Sequence, residues 1–176
     1  RTATKTATTI SYVCIPLFIF MGCILERSGV SEKLFESMYI VLGRIRGGLG
    51  ITTVLICALM GAATGIIGAS ITIMGMLALP SMIKYGYDKR MAAGTVMAAG
   101  SLGTMIPPSV ILVIYGSLAQ ISIAKLFAGG LIVGLLLSGL YIAYIVIRTL
   151  INKDAGPPID PEESARYSTG EKVKMF

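Results

Sequence analysis

The sequence predicts an all-α polytopic membrane protein containing one re-entrant helical hairpin and one discontinuous transmembrane helix. Of its residues 55% are hydrophobic and 14% charged, with a mean hydropathy of +0.81, too apolar for an ordinary soluble domain of this length. The basic residues behind its net charge of +6 stand in clusters between apolar runs, the pattern of cytoplasmic loops under the positive-inside rule. Two stretches, GAATGIIGAS at 61–70 and GSLGTMIPPS at 100–109, interrupt that apolar chain. Backbone within a bilayer is helical unless it is buried in protein or lines a cavity, so paired interruptions at membrane depth point to a binding site.

The first span is read at 1–30, with apolar residues from Ser11 to Leu25 extended by Thr8 to Ile10, and Pro16 in its first turns, where proline costs least. Residues 31–46 follow as an amphipathic helix lying in the membrane interface, N-capped by Ser31, with Leu34, Met38, Val41 and Ile45 on one face and Glu32, Lys33 and Glu36 on the other. Residues 47–83 have Arg44 and Arg46 before them and Lys84, Lys89 and Arg90 after. Both ends therefore belong on the cytoplasmic side. Two full spans need about 40 residues, so the segment is expected to enter, turn near mid-membrane and return.

Residues 91–118 form the broken helix: Pro107 and Pro108 remove two amide donors and force an interruption, and Ser109 stands ready to cap the second half. The hairpin and broken helix make one unit over 47–123, and a last span at 124–151 carries Gly129, Gly130 and Gly134 as close-packing positions. Residues 152–176 are polar, nearly neutral and proline-rich, the composition of a flexible cytoplasmic linker. Tyr85 and Tyr87 read as interfacial anchors, and Tyr115 either as another or as a residue lining the site.

The composition excludes several chemistries. No Asp, Glu, His, Lys or Arg lies in the hairpin arms or the broken helix, so neither a proton relay nor general acid-base catalysis is encoded there. Cys14, Cys23 and Cys57 have no CxxC spacing and no histidine accompanies them, which argues against a metal centre or disulfide framework. Basic clusters that bracket apolar spans also exclude nucleic acid as a partner. What remains at the breaks is hydroxyls, on Thr64, Ser70, Ser101, Thr104 and Ser109, together with freed carbonyls and helix ends. Neutral oxygens of this kind hold a hard monovalent cation such as Na⁺. The C-terminal carbonyls of the first arm and of the first half-helix favour the cation, while the N-termini expected near Ser70 and Ser109 favour a carboxylate.

The residues PLFIFMGCILERSGV (16–30), GAATGIIGAS, LPSMIKYGYDKRMAAGT (79–95), GSLGTMIPPSV and SIAKLFAGG (122–130) resemble the large membrane subunit (DctM type) of tripartite ATP-independent periplasmic (TRAP) transporters. The resemblance covers about residues 15–148. It implies a half of an inverted-repeat elevator transporter of the bacterial inner membrane, with Na⁺ as coupling ion and no further cofactor. It also implies a small organic acid as substrate, and as partners a small membrane subunit, a periplasmic substrate-binding protein and the lipid bilayer. Carried onto this chain, it places the sodium site at Thr64, Gly65, Gly100, Ser101, Gly103 and Thr104. Ser70, Pro107, Pro108 and Ser109 are the substrate-site candidates. Ile66 and Ile67 stand where many members have serines. The chain begins without methionine and is expected to be a piece of a longer subunit. The alternative reading is a non-transporting scaffold or assembly subunit that uses its glycines only for helix contact. Neither reading is an enzyme.

Overall fold

The computed structural model describes residues 2–43, 45–65, 67–152 and 155–158. It is built from α-helices, with no strand among the described residues: α1 (Thr2–Arg27), α2 (Val30–Leu42), α3 (Gly48–Thr64), α4 (Ile67–Lys84), α5 (Lys89–Ser101), a short 3-10 turn (Leu102–Thr104), α6 (Val110–Ala119) and α7 (Ile123–Ile151). Arg44, Ile66, Lys153, Asp154 and residues 159–176, on which several sequence expectations fall, lie outside the described residues.

Helix α3 is the centre of the molecule. Leu49, Ile56 and Cys57 are fully buried on it, and Met60 nearly so, against Met74, Ala78 and Met82 of α4 and Ala92, Val96 and Ala99 of α5. Its first turn lacks a side-chain cap because the N-cap is Gly47, held at φ +76°. An uncapped N-terminus leaves amides without partners, and two distant groups take that place. The amide of Leu49 donates to the phenol oxygen of Tyr87 at 3.3 Å, and the amide of Gly47 donates to the carbonyl of Gly156 at 3.1 Å. Tyr87 follows α4 in the chain, so the end of α4 meets the start of α3 and the two helices run antiparallel, turning at Gly65. This corrects the interfacial reading of Tyr87, which is buried and caps α3 from within the core.

Helix α2 lies along α3 over its whole length. Near its start the Ser31 hydroxyl meets the Met60 sulfur at 3.1 Å. At its end a β carbon on Gly48 would collide with the Leu42 carbonyl, and Tyr39 packs on Tyr85 with ring centroids 5.7 Å apart. Ser31 is therefore not the N-cap, a position held by Gly29 at φ +71°. The buried face is only partly the expected one: Met38 packs on the core, but Phe35 is buried beside it while Val41 and Ile45 are exposed. The partner helix selects the face, and α3 presents itself to the Ser31 and Phe35 stripe.

Helix α1 starts well before the apolar run, so Pro16 is interior to it rather than in its first turn. The tail also differs from expectation in its described part. Ala155 is buried, its carbonyl accepts the Asp88 amide, and Gly156 packs on Thr149, Tyr87 and Gly47. Residues 155–158 are thus a docked clasp at the open end of the α3 and α4 pair rather than a free linker.

Candidate functional site

Helix α3 ends at Gly65, whose amide closes the last turn on the Gly61 carbonyl at 2.8 Å with φ at +63°. That left-handed cap suits glycine, and its surroundings require one. A β carbon at Gly65 would stand 2.6 Å from the Pro108 carbonyl oxygen, and one at Gly61 would stand 2.5 Å from the Gly103 α carbon. The tip of the first helix pair is thus pressed, backbone on backbone, against the interruption between α5 and α6. A second contact joins the same regions, because a β carbon on Gly100 would collide with Ile71 of α4. On the outer side, Gly22 of α1 packs against Thr64.

The interruption has a physical cause. Leu102 to Thr104 tighten into a 3-10 turn, and the Leu102 carbonyl accepts hydrogen bonds from the amides of Met105 and Ile106 at 3.0 Å. Pro107 and Pro108 follow, joined by a cis peptide bond, and neither can supply an amide to a continued helix. The chain becomes helical again at Val110.

Three of the five candidate hydroxyls are turned onto their own helices. Thr64 donates to the Met60 carbonyl at 3.0 Å, Ser101 to Ala98 at 2.7 Å and Thr104 to Ser101 at 2.9 Å. A hydroxyl whose proton is engaged in this way offers only lone pairs outward. Ser109 behaves differently. It occupies the N-cap position of α6, but its side chain makes no cap bond, correcting the expected capping role. Its hydroxyl is completely buried and has no hydrogen-bond partner among the described residues. A buried polar group left so costs about 1–3 kcal/mol. Ser70 is buried too, but α4 starts at Ile67, so Ser70 sits one turn into the helix and not at the N-terminus where a carboxylate was expected.

The structure therefore joins Gly65 to Pro108 and Ser109, Gly103 to Gly61, and Gly100 to the first turns of α4 beside Ser70. Pro107 is half-buried in the same interruption. Gly61 and Gly22 pack directly against Gly103 and Thr64, and neither was a site candidate. The four-residue spacing of Gly61 and Gly65 was the one signal for the first, and nothing in the chain singled out Gly22. Tyr115 is exposed and not part of this junction.

Helix α7 sets the depth of the junction. Gly134 and Gly130 pack against Ile106 and Met105 of the interruption, while Thr149 packs against Gly47 at the open end of the α3 and α4 pair. Fifteen residues of helix separate Gly134 from Thr149, or about 22 Å, and about 16 Å of α7 continues beyond Gly134 to Ile123. The junction lies near the middle of α7. That helix, with 29 residues, is the one helix among the described residues long and apolar enough to cross a membrane unaided. The helices that build the junction, α3, α4 and α6, are shorter apolar helices.

A family model described as the tripartite ATP-independent periplasmic transporter, DctM component, matches residues 1–174. The C4-dicarboxylate TRAP transporter large permease protein DctM of Pseudomonas aeruginosa is 36% identical over 80% of this chain and 33% of its own length. The isethionate TRAP transporter permease protein DctMQ of Oleidesulfovibrio alaskensis is 39% identical over 75% of the chain and 21% of its own length. The ectoine/5-hydroxyectoine large permease protein UehC of Ruegeria pomeroyi is 34% identical over 88% of the chain and 35% of its own length. The chain spans at most about a third of the length of these relatives.

Proposed function

Because the chain belongs to the DctM component family of tripartite ATP-independent periplasmic transporters, we propose that it forms half of the permease of a sodium-coupled secondary transporter for small organic anions. In this reading α3 and α4 are a re-entrant hairpin in the bacterial inner membrane. α5 and α6 are a discontinuous transmembrane helix, and residues 47–123 form half of a transport domain that moves elevator fashion against a scaffold. A small membrane subunit and a periplasmic binding protein complete the system. The relatives' names include C4-dicarboxylate, isethionate and ectoine transporters. They share the large permease rather than one substrate, and the carboxylate preference assigned here comes from the site.

The observation that carries the reading is the meeting of the Gly65 tip with the Pro107 to Ser109 interruption, halfway along α7. Several features of the junction support it. Helix α3 is about 25 Å long, against about 30 Å of hydrocarbon, so it ends before crossing. The polar side chains named at the junction, Thr64, Ser70, Ser101, Thr104 and Ser109, carry neutral oxygens. The hydroxyl oxygens of Thr64, Ser101 and Thr104, beside the backbone of Gly65, Gly100 and Gly103 at the C-terminal ends of α3 and α5, are the neutral donors proposed to meet a cation there. The N-terminus of α6, with the unpartnered Ser109 hydroxyl and the backbone of Pro107 and Pro108, is where an anion is stabilised. Ser70 lies on the adjacent wall.

The test is uptake by the complete transporter as a function of Na⁺. Thr64→Ala is expected to raise the Na⁺ concentration for half-maximal uptake about tenfold, equivalent to about 1.4 kcal/mol. Ser109→Ala is expected to act mainly on the substrate concentration needed. Uptake independent of Na⁺, or unchanged in both variants at normal expression, contradicts the assignment and leaves these residues as packing groups of a scaffold subunit.

A further inference from the structure

A groove of about 110 Å³ opens between α3, α5 and α7, running from Arg90 to Ala98. Val54 and Ile145, both buried, form its floor, with Met91 beside them. Gly94 leaves its wall open, since a β carbon there would meet nothing within 4 Å. Arg90 stands at the end nearest the clasp and Tyr144 along the rim, both exposed. The acid nearest to Arg90 in the chain, Asp88, is occupied in capping the Arg90 amide at 3.1 Å. The guanidinium has no ion pair or hydrogen bond among the described residues, and Tyr144 likewise has none. Arg148, one helical turn beyond Tyr144, is exposed on the same side of α7.

We infer that this groove binds one molecule of anionic phospholipid. Its phosphate would sit on Arg90, with Tyr144 donating a hydrogen bond, and the first part of an acyl chain would lie in the cleft over Val54 and Ile145. The polarity of the groove matches that of the ligand. The cation is at the end that the proposed bilayer orientation places among headgroups, and the apolar floor extends from it along α5 toward mid-membrane. A guanidinium without an ion pair among the described residues, beside an apolar cleft, is complementary to a phosphate bearing a hydrocarbon tail, and the small Gly94 leaves space for that tail. The inference rests on the membrane orientation proposed above, but it requires neither Na⁺ coupling nor a particular substrate.

The probe is phosphatidylglycerol, with phosphatidylcholine as the zwitterionic control, titrated onto the detergent-solubilised full chain and counted by native mass spectrometry. One phosphatidylglycerol should bind at least tenfold more tightly than phosphatidylcholine. Arg90→Gln should abolish that preference and Arg90→Lys should keep most of it, without changing the unfolding temperature of the lipid-free protein. Gly94→Phe, which fills open space, should exclude both lipids. Equal binding of the two lipids by the unsubstituted chain, or undiminished phosphatidylglycerol binding in both Arg90→Gln and Gly94→Phe, overturns the inference. In that case the groove is the seat of another protein segment.

Discussion

The α carbon of Gly103 lies 2.5 Å from the place where a β carbon on Gly61 would stand, so the end of α3 and the interruption after α5 touch backbone to backbone. No side chain fits between them. Gly61→Ala should force these two segments apart and cost about 1–3 kcal/mol, the usual penalty of overpacking. Gly75→Ala, in a helix position with nothing within 4 Å, should instead be neutral or stabilising by up to about 1 kcal/mol, because alanine suits a helix interior better. Thermal unfolding of the two variants in detergent compares them directly. Equal stabilities would show that the contact does not hold the tip in place.

Gly65 carries two constraints, its positive φ and the Pro108 carbonyl 2.6 Å from its β-carbon position. Gly65→Ala should therefore destabilise by more than strain at the left-handed cap alone, which is about 1–2 kcal/mol. Gly29→Ala supplies the comparison, since Gly29 has a similar φ of +71° and open space around it. A Gly65 variant no worse than the Gly29 variant would remove the Pro108 contact from the account.

Tyr87 gives the fold a dependence on alkaline pH. Burial pushes its phenol from 10.0 up to about 12, partly offset by the backbone amides of Leu49 and Gly50 that donate to it. The folded chain holds the neutral form while the unfolded chain ionises near the ordinary value. The Tyr87 contribution is accordingly intact below pH 10 and is lost as pH rises through 12, by about 2–3 kcal/mol. Tyr87→Phe should remove this alkaline slope and, at neutral pH, cost about 1 kcal/mol for the lost partner of the Leu49 amide. Denaturant unfolding at pH 8 and pH 11 reads both effects. An unchanged slope in the phenylalanine variant would place the titration elsewhere.

The all-helical class is legible because composition and charge spacing are properties of segments, and the break before α6 is legible because Pro107 and Pro108 act on their own backbone, whereas α3 runs to Thr64, one turn past the Met60 that the sequence suggests as its end. Features that depend on a distant partner were not legible. Ser31 precedes a helical stripe and looks like a cap, yet Met60 on another helix draws its hydroxyl away. Tyr87 sits beside a basic cluster and looks interfacial, and only the uncapped start of α3 at Gly47 explains its burial. Residues 155–158 have linker composition, but their carbonyls find the amides of Gly47 and Asp88. At the junction, the hydroxyl-bearing residues could be listed from the chain, whereas the burial of the Ser109 hydroxyl without a partner among the described residues follows from packing that no local pattern encodes.

In the proposed arrangement α3 and α4 enter and leave the bilayer on one side, bringing the Gly65 tip to the interruption at mid-depth. Arg46 and Lys84 flank the pair and are both exposed. Arg46→Cys and Lys84→Cys, each in a chain whose Cys14, Cys23 and Cys57 are replaced by alanine, can be reacted in intact cells and in inverted vesicles with a membrane-impermeant maleimide. Both positions should react from the cytoplasmic side alone; reaction of one of them from the periplasmic side would mean that the pair crosses the membrane, and the re-entrant site would have to be abandoned.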